Sequence, residues 1–159
     1  MNFTVVNLQT MKSKKFHDTI KKPYICISVS NWQTEPYSVP ANNLCPAVLY
    51  LKFDDVSYST DDEMNYQYDD GYEPIPFTDN NAADIVRFVK KWNSHTDDIL
   101  INCEAGISRS PGIAMALSQW LNKDNAIPEM YIRTMHSFGI RFHNKMVRDM
   151  ISNQINNGT

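Results

Sequence analysis

The sequence predicts an α/β fold with a central, mostly parallel sheet flanked by helices, and three observations lead there. Short runs rich in β-branched and aromatic residues alternate with stretches of helical periodicity, the order that builds parallel sheets. One run, at 99–102, is a short apolar stretch of the kind a strand needs when it is covered on both faces. The chain has 159 residues, about the size of one compact domain able to bury roughly two-thirds of its unfolded surface. One domain over 1–159 is therefore expected, and no internal repeat is visible.

Taken in order, the candidate strands are 3–6, 24–29, 47–53 and 99–102. After Thr78, a residue type suited to N-capping with Asp79 in the first turn, Ala82, Ile85, Val86, Val89 and Trp92 recur at helical spacing. A second helix begins around Ser110 and carries Ile113, Leu117, Trp120 and Leu121 on one face, with Pro111 tolerated in its first turn. A third starts at Pro128, places Tyr131, Thr134, Met135 and Phe138 on a stripe, and ends at Gly139. A fourth carries Met146, Val147, Met150, Ile151 and Ile155, and the final residues are expected to fray.

Composition narrows the function classes. Hydrophobic residues make up 42% and charged residues 21%, within the range of folded soluble proteins. Lys12, Lys14 and Lys15 interrupt the first twenty residues, and no stretch is long and apolar enough for a signal peptide or a membrane span, so a cytoplasmic protein is expected. A net charge of −3 leaves no basic footprint for nucleic acid or an anionic membrane. Cys26, Cys45 and Cys103 form neither an even framework nor a zinc spacing, so reduced thiols and no metal are expected. Cys26 reads as a small buried hydrophobe and Cys45 as a strand entrance. His17, His95, His136 and His143 are scattered and receive no role, while Trp92 and Trp120 read as core.

Between 54 and 73 lie eight acids and no lysine or arginine, interspersed with Tyr58, Tyr66, Tyr68 and Tyr72. So long an irregular connection is uncommon, and most of its charge reads as a solvated excursion. Asp61, Asp62, Glu63, Asp69 and Asp70 do not follow the EF-hand pattern, so no calcium site is assigned. The pair Asp54 and Asp55, where a strand should end, stands apart from the rest.

The chemistry is concentrated at 99–117, which reads as strand, loop, helix. A tight loop entering a helix N-terminus points successive main-chain N–H groups inward, and with the helix dipole it makes an anion cradle. The same field favours thiolate over thiol at Cys103. Arg109 presents a planar fork to two phosphate oxygens, a geometry lysine lacks. Gly106 suits the turn of the loop, Glu104, Ala105, Ile107 and Ser108 complete the cradle, and the Ser110 hydroxyl sits where it can bond the Cys103 sulfur. An arginine follows a given cysteine by six positions about one time in sixteen by chance. The signal therefore rests on the spacing together with the buried strand, the glycine, the Arg-Ser pair and the apolar helix face.

With Cys-Glu-Ala-Gly-Ile-Ser-Arg-Ser at 103–110, the chain resembles the protein tyrosine and dual-specificity phosphatase superfamily, whose signature is Cys-x5-Arg-Ser/Thr, in a form like its compact microbial members. The resemblance implies a single-domain phosphatase fold and a phosphomonoester hydrolase. Its substrate is a phosphorylated protein or other phosphomonoester, it needs no cofactor, and it works through a phosphocysteine at Cys103. It further implies an aspartate acid on a loop after an upstream strand. Leu-Lys-Phe-Asp-Asp-Val at 51–56 matches that form, with Asp55 the choice, Asp54 the near rival and Asp79 a distant one already explained as a helix-start residue.

Two departures are visible. Asn102 stands where the family usually has histidine, which implies altered tuning of the nucleophile. Glu104 follows the cysteine and should point outward, because an inward carboxylate would repel phosphate. The loop lacks the lysines of phosphoinositide-directed relatives, so an inositol lipid is a disfavoured substrate. Arg141, His143 and Asn144, after the end of the third helix, are placed at the border of the cleft. The main alternative is a phosphate-binding adaptor on the same fold, with Asn102 as its best support. Small arsenate reductases and low-molecular-weight phosphatases carry the motif near the N-terminus rather than at 103, and an RNA 5′-phosphatase would need a basic patch.

Overall fold

In the computed structural model the described residues are 1–58, 71–123 and 143–158. The helix expected at 128–139, and most of the acidic stretch, lie outside them. The elements are β1 (Asn2–Asn7), α1 (Leu8–Lys12), α2 (Lys14–His17), β2 (Tyr24–Ser30), β3 (Val48–Lys52), α3 (Asp79–Trp92), β4 (Asp98–Cys103), α4 (Arg109–Asn122) and α5 (Lys145–Asn157). The four strands form one sheet in the order β1-β4-β2-β3, and all three pairings are parallel. β4 is thus interior, as its apolar run requires, with Ile101 level with Val5 on one side and Ile27 on the other.

Alternation along the strands sends side chains to two different layers. Phe3 and Val5 of β1, Ile25, Ile27 and Val29 of β2, and Ile99, Ile101 and Cys103 of β4 face a core shared with α3, α4 and α5. Ile85, Val89, Ile113, Leu117 and Ile151 supply the helical side and are almost wholly buried, each contributing about 1.5–3 kcal/mol over an exposed position. α3 starts as its sequence predicts. The Thr78 hydroxyl oxygen accepts from the Asn81 N–H, and Asn81 Oδ1 accepts from the Thr78 N–H, a reciprocal cap. Trp92 and Trp120 are half-buried against this core.

The opposite face is covered by α1 and α2. Tyr24, Cys26 and Leu100 pack against Met11 of α1 and Phe16 of α2, two helices of five and four residues that are too short to show a periodicity. His17, read from sequence without a role, is buried there. Its Nε2 lies 2.8 Å from the Met11 carbonyl and must donate, so in the neutral ring Nδ1 accepts from the Tyr24 hydroxyl at 2.8 Å. The Cys26 and Cys45 sulfurs are 3.6 Å apart as free thiols. A cavity of about 240 Å³ lined by Lys22, His95, Thr96 and Asp98 opens at the N-terminal ends of β2 and β4, the end of the sheet away from Cys103. Among the described residues no helix is long and apolar enough to cross a membrane.

Candidate active site

The loop 104–108 joins the last residue of β4, Cys103, to the first residue of α4, Arg109. Its shape is held by β1. Gly106 has φ +73°, and a Cβ placed there would lie 2.9 Å from the main chain of Val6 and Asn7, so both the turn and the close approach require glycine. The Leu8 N–H donates to the Glu104 carbonyl at 3.0 Å, pinning the loop to the end of β1. Glu104 and Ala105 are exposed, so the Glu104 carboxylate is turned outward as charge repulsion demands; Ile107 is half-buried and Ser108 buried.

Cys103 is 1% exposed, and its Sγ lies 3.0 Å from Ser110 Oγ. The start of α4 is unlike the other described helix starts. Asn7, Ser13, Thr78 and Asn144 each cap their helix with a side-chain oxygen, whereas Ser108 makes no such bond because its hydroxyl donates elsewhere, to Asp55 Oδ1 at 2.7 Å. The first-turn amides of α4 are left for another acceptor, at the positive end of the helix dipole.

Arg109 is buried. One guanidinium nitrogen, Nη1, donates to the Phe53 carbonyl at 2.8 Å, and the group stands 5.9 Å from the centre of the Phe53 ring. Its buried Nε has no partner among the described residues. A buried cationic donor without an acceptor is costly, and an anion in the loop is the natural complement. Asn102 is also buried; its Nδ2 donates to the Cys103 carbonyl at 3.4 Å and its Oδ1 has no partner among the described residues. The side chain thus lies against the main chain of Cys103, at the root of the loop.

The two neighbouring aspartates separate cleanly. Asp54 Oδ1 accepts from the Trp32 N–H at 3.0 Å, and Oδ2 accepts from the Tyr72 hydroxyl at 2.6 Å and the Ile75 N–H at 2.9 Å. Burial alone would push its carboxyl up, but these three donors and the Arg109 charge hold it below the usual carboxylate range. The same bond pushes the Tyr72 phenol up to about 12. Asp54 is a brace that ties 54 to 75 and to the end of β2. Asp55 points the other way, to the loop. Its Oδ1 accepts from Ser108 Oγ and, at 2.8 Å, from Asn144 Nδ2, while its Oδ2 meets no partner among the described residues.

The structure therefore brings Cys103, Ser108, Arg109, Ser110 and Asp55 to the carboxyl end of the sheet, the usual ligand end of parallel α/β sheets. Asp79 stays at the start of α3, within the Thr78 cap. Of the residues placed at the cleft border, Asn144 reaches Asp55, His143 Nε2 pairs with Arg148 Nη1 at 3.1 Å, and Arg141 lies outside the described residues. Among the described residues no cluster of three His, Cys, Asp or Glu is arranged to hold a metal.

No protein-family model and no curated protein sequence matches the chain. Solved structures do resemble it. A crystal structure of PTPMT1 in complex with PI(5)P is 14% identical, with 98% of this chain and 91% of that chain covered and a TM-score of 0.47. A crystal structure of Tk-PTP in the active form is 12% identical, with 99% and 91% covered and a TM-score of 0.47.

Proposed function

We propose that the chain is a cysteine-dependent phosphomonoester hydrolase of the protein tyrosine or dual-specificity type. The observation that carries this reading is the buried, part-unpartnered Arg109 guanidinium at an uncapped helix start, in the same loop as a sulfur bonded to Ser110. An anion binder alone explains the arginine and the free amides; the sulfur at the root of the cradle adds a nucleophile.

In the first step the Cys103 thiolate attacks phosphorus. The P–S bond forms as the P–O bond to the leaving group breaks, while Arg109 and the loop amides hold the non-bridging oxygens. Asp55 gives its proton to the departing oxygen, since an alkoxide or phenoxide leaves poorly unprotonated. In the second step water attacks phosphorus, Asp55 takes the water's proton, and phosphate leaves the sulfur. The Ser110 hydroxyl, 3.0 Å from Sγ, stabilises the thiolate that departs. Phosphorylated proteins and small aryl phosphates are the substrates this scheme accepts.

Turnover of para-nitrophenyl phosphate in the presence of a chelator tests the reading. Wild type should release nitrophenol, and Cys103→Ser should release none while still binding vanadate. Equal turnover by both proteins would refute the nucleophile, and vanadate binding without turnover by either would favour the phosphate-binding adaptor.

A further inference from the structure

Asn144 is completely buried and all of its polar groups are engaged. Its main-chain N–H donates to the Ser108 carbonyl at 3.0 Å and its carbonyl accepts from the Arg148 N–H at 3.1 Å. Its Oδ1 accepts from the Val147 N–H at 3.0 Å, and its Nδ2 donates to Asp55 Oδ1 at 2.8 Å and to the Val56 carbonyl at 2.9 Å. The amide orientation is fixed by this chemistry, because the flipped amide would set oxygen against two acceptors and nitrogen against an N–H. The start of α5 is in turn seated on α4 where Gly112 removes a side chain: a Cβ there would lie 2.6 Å from the Asn144 carbonyl oxygen.

One consequence concerns the proton. Asp55 Oδ1 already takes Asn144 Nδ2–H, which can only donate, and Ser108 Oγ. A proton on Oδ1 would face these groups, whereas Oδ2 has no partner among the described residues. We propose that Asn144 is a positioning residue that confines the acid's proton to Asp55 Oδ2 and fixes the orientation of the carboxyl beside the 104–108 loop. The same side chain that caps α5 thereby sets the geometry of an acid 89 positions earlier in the chain. The inference rests on Asp55 being the acid of the reaction proposed above.

The test compares kcat/KM for para-nitrophenyl phosphate, whose leaving group departs readily, with that for phenyl phosphate, whose leaving group needs the proton. The variants are Asn144→Ala, Asn144→Ser and Asp55→Ala. Serine retains a hydroxyl for the helix cap but is too short to reach Asp55, so it separates positioning from folding. Loss of a general acid costs about 10²- to 10⁴-fold, and loss of a group that orients a reactive one about 10- to 100-fold. Both Asn144 variants should therefore widen the ratio of the two kcat/KM values by about tenfold or more, in the same direction as Asp55→Ala. If Asp55→Ala widens the ratio and the Asn144 variants lower both substrates by one common factor, the role of Asn144 is structural and the inference fails. If Asp55→Ala itself leaves the ratio unchanged, the acid is wrongly assigned and both readings fall.

Discussion

Replacing Gly106 with alanine probes the contact that gives the loop its shape. At φ +73° a Cβ lies 2.9 Å from the main-chain atoms of Val6 and Asn7, which are strand and cannot swing aside as a side-chain end would. The left-handed conformation costs alanine about 1–2 kcal/mol, and forcing a methyl against a packed backbone costs about 1–3 kcal/mol. The sum, about 2–5 kcal/mol, corresponds to a fall in Tm of roughly 5–20 °C for a domain of this size. Relief of the clash would move the loop away from β1, break the Leu8 to Glu104 bond and displace the loop amides. Thermal unfolding by circular dichroism, with vanadate titration of the folded variant, reads both effects. An alanine variant with wild-type Tm and vanadate affinity would show that β1 does not shape the loop.

The remaining expectations concern the groups around it. Because the folded Asp54 carboxyl is held below its unfolded value, its stabilisation is complete above about pH 4 and is lost as pH falls through the folded value. Urea midpoints of wild type and Asp54→Asn should thus converge on acidification, and a difference that persists undiminished at low pH would contradict the brace. Ser110→Ala removes the hydroxyl beside Sγ and should slow hydrolysis of the intermediate more than its formation. Stopped-flow release of nitrophenol should then show a larger burst than wild type; a uniform slowing with an unchanged burst would remove Ser110 from that step.

What could be read from the chain divides by range. Cys103, Gly106, Arg109 and Ser110 are legible because six residues of local spacing place them on one strand-loop-helix turn. The four strands are legible because alternation and apolar runs are local, and each was placed to within one or two residues of its observed end. α1 and α2 escape notice because five and four residues complete little more than one turn. The choice between Asp54 and Asp55 is not local at all. Trp32, Tyr72 and Ile75 engage Asp54, and Ser108 and Asn144 engage Asp55, and spacing connects none of them to the pair. Asn144 shows the same limit: its place after the third helix set it at the cleft border, but its cap of α5 and the acceptor of its Nδ2 depend on how α5 seats on Gly112.

The central claim is a covalent phosphoryl group on one sulfur, and the most direct measurement is to trap it. Wild type mixed with para-nitrophenyl phosphate and quenched in acid within the first turnover, then digested and sequenced by mass spectrometry, should carry phosphate on Cys103. The Cys103→Ser protein should carry none. Turnover by wild type with phosphate found on another residue, or with no phosphoenzyme even in Ser110→Ala, would contradict the account.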